Sequence, residues 1–75
     1  MSISKADDYL MKLLVSLNIP KQTAVLAGGF LETDENIIEA TKMIIDLYKE
    51  VGEVTDQDVK KIVLYLTGTR KKEKS

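Results

Sequence analysis

Apolar residues recur along the chain in four blocks at the three-to-four-residue spacing of an α-helix, separated by short polar, proline- or glycine-bearing stretches. In the first, residues 4–17, Ala6, Leu10, Leu13, Leu14 and Leu17 fall on one face. Ser4 suits the N-cap, Asp7 stands in the acceptor place of a capping box, and Asp8 adds negative charge near the positive helix end. Asn18-Ile19-Pro20 closes the block, because proline is unfavourable inside a helix but suits the first turn of the next.

The second block, residues 20–31, contains Gly28-Gly29. Two glycines cost roughly 2 kcal/mol of helix propensity relative to alanine. Either the helix stops near Ala27, or it continues to Leu31 with a bare strip at Ala24, Ala27 and Gly28 where another helix packs closely. Continuation is the preferred reading. The third block, residues 33–51, starts at Thr33 with Asp34 and Glu35 in its first turn, and Gly52 supplies a left-handed stop. Its stripe reads Ile37, Ile38, Thr41, Ile44, Ile45 and Tyr48, opposite Glu39, Lys42, Asp46, Lys49 and Glu50. The fourth block, residues 55–67, opens at Thr55 with Asp58 in the capping-box place, carries the stripe Val59, Ile62, Val63 and Leu66, and is expected to end at Gly68. Val63–Thr67 alone reads as a strand, but the cap, the stripe and the lack of a partner strand decide for helix.

The expected fold is all-α: a compact bundle of three to four helices with short connections, forming one domain over residues 1–69, followed by a flexible, disordered basic tail over 70–75. A chain of 75 residues makes one domain with a marginal core. No cysteine or histidine is present to staple it through a disulfide or a thiolate or imidazole metal site. Helix packing or burial against another chain remains. Absence of cysteine, of a leader-like apolar stretch after Met1 and of any membrane-spanning run points to the cytoplasm.

Charge changes this picture mainly at the end of the chain. The net charge is −1. Residues 1–69 hold seven Lys against eleven Asp and Glu, whereas 70–75 hold Arg70, Lys71, Lys72 and Lys74 against Glu73. The body is acidic and the tail basic.

Nucleophilic catalysis needs a nucleophile beside a base. The serines, at positions 2, 4, 16 and 75, lie at termini, in a cap or in a last helical turn, so the sequence argues against an enzyme. It argues equally against a cofactor. Glu32, Asp34 and Asn36 alternate like the start of a calcium loop, but the sixth and twelfth places, which require Gly and Glu, hold Ile37 and Met43. The acids read as helix caps, so no metal is expected. Gly28-Gly29 lacks both the P-loop ending and the nucleotide fingerprint.

Nucleic-acid binding is the second reading. Ala24 and Gly28 have the spacing of a helix-turn-helix across residues 20–51, with Lys42, Lys49 and the tail residues Arg70, Lys71 and Lys72 as phosphate contacts. The acids between Glu32 and Glu39 oppose that role, since DNA affinity rests largely on phosphate neutralisation. Balanced or acidic helices also argue against a membrane surface.

The leading reading comes from a surplus of apolar residues. Met11 and Val15, Met43 and Leu47, and Leu64 and Tyr65 fall outside the main stripes. Either helix 1 or helix 4 is central and buried all round, or this surplus marks an interface. The chain is therefore expected to be a small non-enzymatic protein–protein interaction or regulatory module. Its partner would be itself, as a homodimer, or another protein not identifiable from the sequence.

Overall fold

The computed structural model describes residues 4–74, with side chains described for 4–68. Four α-helices follow one another: α1 (Lys5–Ser16), α2 (Lys21–Leu31), α3 (Asp34–Val51) and α4 (Asp56–Lys74), with no strand among the described residues. The all-α bundle expected from periodicity is the fold, with four helices.

Each boundary has a local chemical cause. The Ser4 hydroxyl accepts the Asp7 backbone N–H at 3.1 Å and starts α1. At its other end Asn18 takes φ 69°, the Ile19 N–H reaches the Leu14 carbonyl at 3.0 Å, and the Asn18 N–H reaches Val15 at 3.0 Å. This is a Schellman closure with asparagine in the left-handed place, and both Leu14 and Ile19 are buried, as the motif favours.

α2 continues through Gly28-Gly29 to Leu31. It then turns sharply at Glu32, whose φ of 70° and ψ of −49° let the Thr33 N–H reach the Leu31 carbonyl at 2.7 Å. Such a γ-turn is strained for a residue with a Cβ. The buried Asn36 amide donates to the same carbonyl at 3.0 Å, while the Asn36 N–H donates to the Thr33 hydroxyl at 3.2 Å. One side chain thus ties the end of α2 to the start of α3. Gly52, at φ 93°, ends α3 as expected. Thr55 and Asp58 form the reciprocal capping box: the Thr55 N–H donates to Asp58 Oδ2 at 3.0 Å, and the Asp58 N–H donates to Thr55 Oγ1 at 3.2 Å.

Two expectations need correction. α4 does not end at Gly68: its backbone stays helical to Lys74, so the tail expected to be disordered continues the helix. A helical glycine costs about 1 kcal/mol without forbidding the helix, and cations favour the negative C-terminal end. The stripe of α3 is also rotated. Ile37, Ala40, Thr41 and Ile44 are its buried apolar and hydroxyl positions, whereas Ile38 and Tyr48 are exposed. Half-buried Met43 and Leu47 extend this face, and it is Ala40, overlooked for its small size, that fixes its direction. The buried Thr41 hydroxyl donates to the Ile37 carbonyl at 2.8 Å, so its burial leaves no donor unpaired.

The helices form a ring in the order α1, α2, α4, α3. Each packs on its neighbours, α2 also touches α3 across the middle, and α1 and α4 share no contact among the described residues. Leu10, Leu14, Leu31, Ile44 and Val59 are the largest fully buried side chains. Two connection residues join them: Ile19 and Val54 precede the caps of α2 and α4 and are buried with Ala24 and Val59, in the positions of a hydrophobic staple. The body is flat, 36 × 33 × 18 Å, so each helix keeps a face turned outward.

Candidate functional site

α2 presents two kinds of surface. Its inner strip, Ala24, Ala27, Gly28 and Leu31, is buried. Gly28 lies directly under the Asp7 side chain of α1: a Cβ there would collide with Asp7 Oδ1 and come within 3.3 Å of Asp7 Cγ. The bare strip expected from the sequence is buried, and at Gly28 it is the Asp7 side chain of α1 that lies on it.

On the flank facing α4 the residues are large, and here the surface opens. Thr23, Leu26, Ala27 and Phe30 of α2 face Val59, Lys60, Val63, Leu64 and Thr67 of α4 across a groove of about 320 Å³. Both sets follow helical spacing. On α4 they run from Val59 to Thr67, roughly 12 Å at 1.5 Å rise per residue. Buried Ala27 and Val59 contribute the floor, and the small size of Ala27 leaves the depth. The rims are Leu26, Phe30 and Leu64, which stay 56%, 64% and 70% exposed. Isolated exposed leucines are ordinary, but large apolar residues surrounding one trough are not.

The groove carries little polar chemistry. Its single titratable lining residue is Lys60, whose ammonium pairs with Asp56 Oδ2 at 3.5 Å at an exposed position. The Thr67 hydroxyl donates to the Val63 carbonyl at 2.9 Å, closing on its own helix. α2 carries no charged residue between Lys21 and Glu32. The arrangement offers apolar burial and shape; it does not set a nucleophile beside a base.

The six residues expected to form an interaction surface do not gather in one place. Leu64 lines the groove, and Tyr65 is exposed beside it on α4. Val15 is exposed on α1, which does not touch α4. Met11, Met43 and Leu47 are half-buried against the core, so their off-stripe appearance reflects a core wider than the main stripes. Sequence reasoning missed Leu26 and Phe30. Their signal was an i,i+4 pair of large apolar residues away from the Ala24–Gly28 strip, which two glycines had marked as an uncertain helix.

Lys42 and Lys49, the candidate phosphate contacts, are exposed on α3. Glu39 and Asp46 are exposed at neighbouring helical positions and leave that face mixed in sign. The side chains of Arg70, Lys71 and Lys72 lie outside the described residues. Among the described residues no three acidic, histidine or cysteine side chains are placed to hold a metal ion, and no helix is long and apolar enough to cross a membrane. No protein-family model, curated protein or solved structure matches the chain.

Proposed function

We propose that this chain is a non-catalytic protein–protein interaction module and that it docks its partner in the α2–α4 groove. The observation that carries the reading is the continuity of exposed apolar surface around that trough, with Leu26, Phe30 and Leu64 standing over a buried Ala27–Val59 floor. Covering a Leu or Phe side chain completely is worth roughly 1.5–3 kcal/mol, so three half-exposed ones supply a useful part of a docking energy. The absence of acid–base pairs among the lining residues favours recognition over reaction.

The test is a display library of amphipathic helical peptides panned against the protein held at low surface density. Selected peptides should lose at least tenfold in affinity for Phe30→Glu and for Leu64→Glu. Ile38→Glu, an equally apolar exposed position on α3, should bind as wild type does. Circular dichroism verifies that each variant keeps its helices. Peptides that bind all four proteins alike overturn the groove as the docking site.

A further inference from the structure

We infer that two copies of this chain exchange helical halves: the turn at Glu32 straightens, α2 and α3 become one continuous helix, and α1–α2 of each copy packs on α3–α4 of the other. The basis is the α2–α3 joint, independent of what the groove binds. Glu32 is exposed, and although it carries a Cβ it is held at φ 70° and ψ −49°. A residue stays in such backbone only where its surroundings hold it there, and switch regions are among the places where this happens.

The other two joints are built to stay bent. Asn18 also has a positive φ, but asparagine tolerates left-handed backbone, and Pro20 keeps α1 and α2 from merging. Gly52 takes φ 93° without a Cβ, and the Thr55–Asp58 box starts α4 afresh. Between Phe30 and Val51 the chain has neither glycine nor proline. The hydrogen bonds of a continuous helix already exist on both sides of the turn: the Glu32 N–H reaches the Gly28 carbonyl at 3.3 Å, and the Ile37 N–H reaches the Thr33 carbonyl at 3.0 Å. Straightening moves only the N–H groups of residues 33–36 onto the carbonyls of 29–32. The bent form bonds two of them differently, Thr33 to the Leu31 carbonyl and Asn36 to the Thr33 hydroxyl.

Packing names the partner. α1 packs on α3 and α2 on α4, so one core is shared between the two halves. Leu10, Leu14 and Leu31 come from the first half, Ile44 and Val59 from the second. Once Glu32 is helical, the halves of one chain point away from each other and neither covers its own apolar face. The surface shaped to cover it is the other half of an identical chain. The same core then forms twice, each time between two copies, and each groove takes α2 from one chain and α4 from the other. Exchange passes through an opened bundle, so it is slow and is promoted by concentration and partial unfolding.

In the test, the protein is held at millimolar concentration near its thermal midpoint, cooled, diluted and separated by gel filtration. A dimer should appear that outlasts dilution by hours, because reversal needs reopening. Glu32→Gly should lower its yield at least tenfold, since glycine takes the bent backbone freely and disfavours the helical one. Glu32→Ala, which keeps a Cβ, should dimerise at least as readily as wild type. Circular dichroism verifies that both variants keep their helices. Paired spin labels at the exposed positions Gln22 and Glu50, diluted with unlabelled chain, should read about 42 Å in the dimer, the span of a continuous helix at 1.5 Å per residue and beyond the 36 Å length of the single body. A wild type that yields no dimer overturns the inference. So does a dimer whose labels keep the monomer's distance, which is docking of intact bundles, and so does a Glu32→Gly variant that dimerises as wild type does.

Discussion

Along α2 the strip through Ala24, Ala27 and Gly28 closes against the bundle, with Asp7 of α1 seated on Gly28, while the flank bearing Leu26 and Phe30 stands apart from α4 across an open trough. One helix therefore makes two seams of opposite character. At Gly28 the missing side chain leaves room for Asp7 to lie on the helix, whereas the large rim residues Leu26 and Phe30 stand exposed above a floor that the bundle already buries. The closed seam contributes stability. The open one leaves apolar area available to a partner, and in a chain this short such area is a large share of what it has.

The sharpest way to break this comparison is to truncate one leucine from each region. Leu14 is fully buried, and its carbonyl also closes α1. Leu14→Ala should cost about 2–5 kcal/mol, enough to leave the chain largely unfolded. Leu64→Ala should shift monomer stability by less than about 0.5 kcal/mol, because the side chain is mostly in water. Urea unfolding at low concentration reads both. A large loss at Leu64 would make the groove part of the monomer's core and remove the distinction.

How much of this was legible follows the same division. Caps and stops depend on a few adjacent residues, so Ser4, Thr33, Gly52 and the Thr55–Asp58 box were readable, and they appear as read. The continuation of α2 through Gly28-Gly29 and the burial of Ala24, Ala27 and Gly28 were readable as well, since small residues at helical spacing mark an inward face. The α3 stripe was misjudged because Ile38 and Ala40 compete for direction, and only the neighbouring helices decide between them. Gly68 was read as a stop, although nothing near it requires left-handed backbone. The groove was legible only at Leu64: it lies between helices separated by α3 in the chain, and no local pattern states that α2 and α4 are neighbours.

A second test asks what makes the closed seam close. Replacing a helical glycine by alanine ordinarily gains about 1 kcal/mol of propensity. At Gly28 the new methyl meets the Asp7 carboxylate, so Gly28→Ala should show only part of that gain in the wild type, the rest going into turning the Asp7 side chain aside. In an Asp7→Ala background the obstruction is gone and the full gain should appear. The double-mutant cycle should therefore give a coupling of about 0.5 kcal/mol. Equal effects of Gly28→Ala in both backgrounds would show that the approach of α1 is not what calls for glycine there.

Gly29 supplies the internal control. It lies one residue further along the same helix, is exposed, and a Cβ built on it meets nothing within 4 Å. Its backbone is helical and its φ is not positive, so alanine adopts it without strain. Gly29→Ala should raise monomer stability by about 0.8 kcal/mol, through propensity and a less disordered unfolded chain. That moves the thermal midpoint of a domain this size by several degrees, within reach of circular-dichroism melting at low concentration. The full gain at 29 set against the reduced gain at 28 separates what the helix wants from what its neighbour imposes. A loss at 29 would mean that the outward side of α2 is already covered, and the contrast between the two seams would then have to be redrawn.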